Sequence, residues 1–152
     1  MKLFRKDSSY AVRTLVYLAQ QNQSVPISST RVSEALGIPK NFLRRIFSIL
    51  IRSGILNATE GARGGVRLGK SPAQITVMEI MRELQGELKI CNSLHEKELC
   101  EDGAVCVIRK RIIGIEKLIK NEFQKITIQT LIDDKNTLSE VEGDSVNSEL
   151  YA

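Results

Sequence analysis

The chain has 152 residues, of which 42% are apolar and 26% are charged, a balance typical of a soluble globular protein. No apolar run approaches the ~18 to 20 residues of a membrane-spanning helix, and the basic N-terminus lacks the apolar segment and cleavage site of a signal peptide. Residues 1–70 carry twelve Lys and Arg against three Asp and Glu, whereas residues 71–152 carry ten against fifteen. We therefore expect a cytoplasmic protein with no membrane contact, whose basic half binds a polyanion.

Three helices are predicted before residue 55. The first covers residues 9–20, "SYAVRTLVYLAQ", with its N-cap at Ser8 or Ser9. A short second helix, "RVSEAL", is predicted to be capped by a hydroxyl within residues 28–30 and to end at Gly37. The third, "KNFLRRIFSILIRSG", follows at once and buries a stripe formed by Leu43, Ile46, Phe47 and Leu50.

The opposite face of the third helix is polar and contains no acidic residue. Its members are Asn41, Arg44, Arg45, Ser48 and Arg52. One α-helix fits the major groove of B-DNA, and donors on its outer face can reach phosphates and base edges. The alternative is an ordinary solvated helix face. It is less favoured because the face contains no acidic residue and a basic hairpin follows it.

A glycine-rich segment, "ILNATEGARGGVRLG", predicts a β-hairpin with a flexible tip to which Arg63 adds positive charge. Thr76 and Glu79 then have capping-box spacing and begin an amphipathic helix that ends near Gly86. Three helices followed by a hairpin is the arrangement of a winged helix-turn-helix. The candidate DNA-binding residues are Ser28, Thr30, Lys40, Asn41, Arg44, Arg45, Ser48 and Arg63.

All three cysteines and the only histidine lie within "CNSLHEKELCEDGAVC", residues 91–106. An odd number of cysteines argues against a disulfide scaffold, and clustered thiols in a reducing compartment bind metal or an iron-sulfur cluster. Cys91, His95, Cys100 and Cys106 also make a Cys₃His zinc set, although the short spacing that begins most zinc sites is absent. Unligated structural or redox thiols are a further alternative. The wide gaps between the cysteines suit a loop around a larger inorganic cluster.

After the cysteines, apolar residues recur at coiled-coil spacing and predict a long dimerisation helix. The candidate dimer residues are Ile108, Ile112, Ile115 and Ile119. The predicted fold is mainly α, with a winged helix-turn-helix domain (residues 1–86), a cysteine loop (87–106) and the C-terminal dimerisation helix (104–132). The polar, acidic residues 133–152 are predicted to be a disordered or frayed tail.

The segments "YAVRTLVYLA", "LGIPKNFLRRIFSIL" and "GARGGVRLGKSPAQITVMEIM", followed by three cysteines and a long helix, resemble the IscR/NsrR-type transcription regulators over about residues 1–132. The most specific parts are the wing "GARGGVRLGK" and the cysteines. The resemblance implies a homodimer that binds a double-stranded DNA operator with two related half-sites. It also implies a 2Fe-2S or 4Fe-4S cluster on Cys91, Cys100 and Cys106, whose state sets the affinity for DNA.

At the positions where the two branches of that family have their fourth cluster ligand, this chain has different residues. The IscR branch has a histidine three residues after its last cysteine, but this chain has Arg109, which stays protonated and cannot ligate. The NsrR branch uses an N-terminal aspartate of the partner subunit, and Asp7 is the first choice for that role here. His95 is less favoured, since an exposed loop histidine explains it as well.

We therefore predict a dimeric DNA-binding transcription regulator, not an enzyme, that senses iron-sulfur status, nitric oxide or oxidation through its cluster. The alternative is a cluster-free regulator of the same fold that is controlled by a partner protein, thiol oxidation or zinc. An enzyme has little support because His95 has no Ser or Asp arrangement that suggests a catalytic triad.

Overall fold

The computed structural model describes residues 3–61, 63–90 and 103–141, and these ranges form a mainly helical protein with one small sheet. The elements in chain order are α1 (Lys6–Ala19), α2 (Ser29–Leu36), α3 (Lys40–Arg52), β1 (Leu56–Thr59), β2 (Gly65–Leu68), a 3-10 turn (Pro72–Gln74), α4 (Val77–Gln85), α5 (Gly103–Lys125) and α6 (Ile128–Val141). The predicted winged helix-turn-helix with a long C-terminal helix is thus confirmed. Within these ranges, no helix is long and apolar enough to cross a membrane.

One hydrophobic core joins α1, α2, α3 and the hairpin. Its fully buried side chains recur at helical spacing in α1 and α3, as the sequence pattern predicted. The residues with at most 1% exposure include Ala11, Leu15, Leu18, Val32, Ile38, Leu43, Ile46, Leu50, Ile55, Leu56 and Ile80. Burial of each large side chain contributes about 1.5 to 3 kcal/mol relative to exposure, so this core fixes the direction of α3.

The start of α1 differs from the prediction. Its N-cap is Arg5, without a side-chain capping bond, so the predicted cap at Ser8 or Ser9 is wrong. Ser8 is instead fully buried within the helix, and its hydroxyl donates to Gln85 Oε1 at 2.9 Å. The Ser8 hydroxyl, which the sequence predicted as a helix cap, therefore makes a tertiary contact with Gln85 instead.

The hairpin gains a third segment that the sequence did not reveal. Ile27 and Val66 exchange two backbone hydrogen bonds of 2.9 Å, which attach the residues before α2 to the outer edge of β2. Gly65 makes this approach possible, because a Cβ at this position would lie 2.5 Å from the carbonyl carbon of Ile27. The wing is therefore bound to the helix-turn-helix through backbone as well as core contacts.

The predicted single helix over residues 104–132 is divided into α5 and α6. The backbone N–H of Val77 donates to Ile126 O, and that of Ile128 donates to Ile75 O, both at 2.9 Å. These bonds use backbone groups outside the helix and end α5 at Lys125. The same two hydrogen bonds attach the α5–α6 junction to the start of α4.

The polar tail predicted from residue 133 is helical as far as Val141. Leu131 and Ile132 in the first turns of α6 pack against the core that contains α1. A helix anchored in this way extends into polar residues because each added residue needs no new nucleus. Residues 133–141, predicted as part of a disordered or frayed tail, thus continue α6, and residues 142–152 lie outside the described part of the chain.

Candidate nucleic-acid interface and the surroundings of the cysteine segment

The outer face of α3 presents the predicted DNA-binding side chains to solvent. The exposed members are Lys40, Asn41, Arg44, Arg45, Ser48 and Arg52. On the inner face, Leu43, Ile46 and Leu50 are at most 1% exposed. The buried face therefore holds the helix rigidly, while four cations and two polar side chains point outward from a surface without a carboxylate of its own.

The turn between α2 and α3 sets the position of that face. Ser28 caps α2, since its Oγ accepts from the backbone N–H of Arg31 at 3.3 Å. Gly37 ends α2 with φ of 64°, a left-handed conformation that glycine adopts without strain. Ser33 Oγ donates to Ile38 O at 2.7 Å and closes the turn. Both caps agree with the sequence prediction.

The first turn of α1 lies against α3 and adds charges that sequence reasoning did not assign to the interface. Arg45 Nη2 lies 3.9 Å from Asp7 Oδ2, and the Asp7 side chain is only 15% exposed. Lys6 Nζ lies 5.3 Å from the ring centre of Tyr10 and 5.9 Å from that of Phe42, where it makes cation–π contacts. Only the packing of α1 on α3 reveals Lys6 as a cation beside the recognition surface.

The wing contributes a smaller charged surface. Arg63 and Arg67 are both exposed, and Arg67 stands opposite Asn57 in the antiparallel register. Glu60, near the tip, is also exposed, so the tip itself is of mixed charge. The hairpin supports the interface through the two arginines, and its base packs on α3 through the buried Leu56.

The cysteine segment falls largely outside the described residues. Cys91, His95 and Cys100 lie in the undescribed range, and Cys106 belongs to the first turn of α5. In the ranges that the structure does describe, no three His, Cys, Asp or Glu side chains gather as a metal site would require. Asp7, the first choice for a fourth ligand, lies beside Arg45.

A buried carboxylate on α5 binds the chain just before the cysteine segment. Glu116 is 3% exposed, and its Oε2 accepts from the backbone N–H of Ile90 at 3.0 Å. Lys120 Nζ lies 4.0 Å from Glu116 Oε1 and 3.4 Å from Glu87 Oε2. Sequence reasoning missed Glu116, because a charge within an apolar repeat is usually assigned to solvent.

The apolar repeat of α5 is divided between two faces. Ile119 packs inward, with Phe123, against a small cluster that contains Met81 and Leu88. Ile108 and Ile115 face outward and are 55% and 48% exposed, whereas Ile112 is half-buried. The outward face also contains Val107 and Leu118, exposed by 59% and 64%, which the predicted isoleucine register omitted.

An apolar groove continues this outward face towards the N-terminus. It measures about 330 Å³ and is lined by Leu3, Leu118, Ile119, Glu122, Phe123 and Ile126. At its side, Phe4 stacks on Phe123 with ring centres 6.2 Å apart and remains 38% exposed. Exposed large apolar side chains that adjoin an apolar groove are typical of an interaction surface.

Comparisons with known proteins agree with this geometry. The model of the family described as "Rrf2: Iron-dependent Transcriptional regulator" matches residues 4–134. Among solved structures, the chain is similar to CymR (YrzC), "the Global Cysteine Regulator of B. subtilis", with 24% identity over 88% of this chain and 98% of that chain and a TM-score of 0.72.

Two further structures have the same fold. T. potens IscR is 22% identical over 100% of this chain and 97% of that chain, with a TM-score of 0.66. The oxidized form of Staphylococcus aureus CymR is 20% identical over 97% of this chain and 100% of that chain, also with a TM-score of 0.66. The family match spans most of the sequence, and the chain belongs to the Rrf2 family of DNA-binding transcriptional regulators.

Proposed function

We propose that this Rrf2 regulator acts in the cytoplasm as a homodimer on a double-stranded DNA operator, and that an iron-sulfur cluster held by Cys91, Cys100 and Cys106 sets its affinity for that operator. The observation that carries the DNA-binding part is the exposed face of α3, which has four cations and no carboxylate. The cluster part is supported by three thiols within sixteen residues, next to the helix that presents the exposed apolar face.

Base reading is assigned to Arg44 and Arg45, whose guanidinium groups can each donate two hydrogen bonds to a guanine in the major groove. The pair between Arg45 and Asp7 does not prevent this, because its atoms are 3.9 Å apart and Arg45 is 63% exposed. A pair at this distance, with its arginine open to solvent, contributes at most about 1 kcal/mol. Asn41 and Ser48 lie on the same face and can reach base edges or phosphates.

Phosphate binding is assigned to side chains around the edge of that face. Ser28 and Thr30 stand at the exposed start of α2, where backbone N–H groups and the helix dipole favour an anion. Lys40 begins α3, and Arg63 extends from the wing. These contacts set register on the duplex and give the complex its salt dependence.

Dimerisation is assigned to the outward face of α5. Ile108, Ile115 and Leu118 are about half to two-thirds exposed, and pairing with the same face of a second protomer would remove them from water. A two-fold axis along this face gives two copies of α3, as an operator with two related half-sites requires. The groove beside Leu118 extends the same surface.

The cluster residues are assigned by chemistry, since thiolates are the ligands that iron-sulfur clusters use in proteins. Three cysteines leave one position for a weaker ligand, and Asp7 of the second subunit is preferred over His95 for that position. When bound, the cluster would supply an exposed iron that reacts with nitric oxide or oxidants. Cys106 stands in the first turn of α5, so a change in its ligation acts directly on the dimer helix.

A cluster-free regulator controlled by thiol oxidation, zinc or a partner protein is the second candidate. The observation that favours it is the similarity to CymR, which is the global cysteine regulator of B. subtilis and whose Staphylococcus aureus form has been solved in an oxidized state. In that case the same three cysteines would form disulfides or sulfenic acids, or bind zinc, without iron.

DNA binding with and without iron tests the proposal. A duplex operator is first selected from a random-sequence pool with the purified protein, and its affinity is measured by fluorescence anisotropy under anaerobic conditions. We expect the iron-loaded protein and the chelated protein to differ at least tenfold in Kd. Equal affinities, together with a change upon peroxide treatment of iron-free protein, would favour the second candidate.

A further inference from the structure

Glu116 is unusual because it is the one acidic side chain among the described residues that is buried, at 3% exposure. A carboxylate without water is costly unless it is hydrogen-bonded or paired with a cation. Its neighbours Ile115 and Lys117 are exposed on the same helix, so the burial is specific to this position. The contacts that Glu116 makes therefore explain why it lies inside.

Those contacts hold the chain that leads from α4 to the cysteines. Glu116 Oε2 accepts from the backbone N–H of Ile90 at 3.0 Å, and Ile90 immediately precedes Cys91. Lys120 lies 4.0 Å from Glu116 and 3.4 Å from Glu87, so it bridges the same chain to α5 at a second point. Between these two points Leu88 is 4% exposed and packs with Val77 and Met81.

We propose that Glu116 is a positioning residue that fixes the backbone at Ile90, directly before Cys91 in the sequence, against α5. The inference rests on the proposed role of Cys91 as a ligand, but its structural content does not need iron. Two neighbouring residues of α5 then have different partners. Glu116 binds the backbone at Ile90, and Ile115 is exposed on the face assigned to the second protomer. A displacement of the backbone at Ile90 would therefore act on the helix that carries the dimer face.

Three variants test this role. Glu116→Leu removes the acceptor at similar volume, and Glu116→Gln keeps an oxygen for the Ile90 N–H but loses the charge. Lys117→Gln is the control, because Lys117 adjoins Glu116 on the same helix but is exposed and belongs neither to the groove nor to the residues assigned to the dimer face. Circular dichroism and thermal unfolding first establish that each variant is folded.

The first readout uses iron-free, reduced protein. Iodoacetamide labelling followed by mass spectrometry gives the alkylation rate of Cys91 relative to Cys106, and hydrogen exchange gives the protection of the Ile90 amide. A lost charge-assisted hydrogen bond should raise both the relative alkylation and the exchange about tenfold in Glu116→Leu. Glu116→Gln should change less, and Lys117→Gln should match the wild type.

The second readout is the rate at which reconstituted protein loses its visible absorption under air, which should be several-fold faster in Glu116→Leu than in the control. Unchanged labelling and exchange in folded Glu116→Leu would overturn the inference. If Glu116→Leu does not fold, Glu116→Gln together with Lys120→Met decides by the same two ratios. An iron-free wild type after reconstitution would contradict the cluster but leave the labelling test intact.

Discussion

Replacement of Leu118 by Ala should weaken the dimer without harming the protomer. Leu118 lies on the outward face of α5 and is 64% exposed, so it contributes little to the core of its own chain. Alanine is also the strongest helix former, which keeps α5 intact. The substitution therefore changes mainly the area that a second protomer can cover.

The expected magnitude follows from that exposure. Leu→Ala removes three carbons, and burial of each is worth about 0.8 kcal/mol, or about 2.4 kcal/mol if fully covered. With 64% of the residue available to a partner, about 1.5 kcal/mol is lost per protomer. A two-fold dimer contains the substitution twice, so about 3 kcal/mol and roughly a hundredfold in dimer Kd are expected.

Sedimentation velocity over a concentration series measures that Kd. Val25→Ala is the matched control, because Val25 is 55% exposed but lies in the loop between α1 and α2. The control should leave the dimer Kd within about twofold. If Leu118→Ala also stays within about twofold while remaining folded, α5 does not use this face to dimerise, and the assignment of the axis is refuted.

Three further predictions concern the DNA-contacting side chains, the packing of the wing and the pair between Asp7 and Arg45. Arg44→Ala and Arg45→Ala should each weaken specific operator binding by about 1 to 3 kcal/mol in a gel shift, and unchanged affinity in both variants would contradict the placement of α3. Arg63→Ala should instead reduce the salt dependence of binding, lowering the slope of log K against log salt concentration by about 1. Gly65→Ala should lower the free energy of unfolding in urea by about 1 to 3 kcal/mol, because its Cβ would lie 2.5 Å from the backbone of Ile27. A stability equal to that of the wild type would show that β2 does not need to pack this closely on Ile27. Asp7→Asn in iron-free protein should raise DNA affinity up to about fivefold by releasing Arg45, and a tenfold loss would mean that Asp7 orients Arg45 productively.

The DNA-binding half of the fold was predictable because local signals there agree with one another. The polar face of α3, the Gly37 turn and the Thr76 cap each occur where sequence alone placed them. Thr76 Oγ1 accepts from the N–H of Glu79 at 3.1 Å, as the capping box requires. The Glu79 carboxylate, however, binds Lys70 at 2.6 Å rather than returning to the helix start.

The features that sequence missed all depend on contacts between distant residues. The burial of Ser8 depends on Gln85, and the break after α5 depends on backbone bonds to the start of α4. In the same way, nothing in the sequence around Glu116 indicates that its carboxylate will accept a hydrogen bond from the backbone of Ile90. Local periodicity predicts which residues form a helix, but not which side of that helix the rest of the chain will cover.

Iron and sulfide analysis of anaerobically purified protein tests the central claim most directly. We predict a visible absorption band with iron and acid-labile sulfide in the wild type, and loss of all three in Cys91→Ala, Cys100→Ala and Cys106→Ala. His95→Ala should retain them if Asp7 is the fourth ligand. A colourless wild-type protein that takes up neither iron nor sulfide after reconstitution would contradict the cluster and leave a thiol, zinc or partner-controlled regulator.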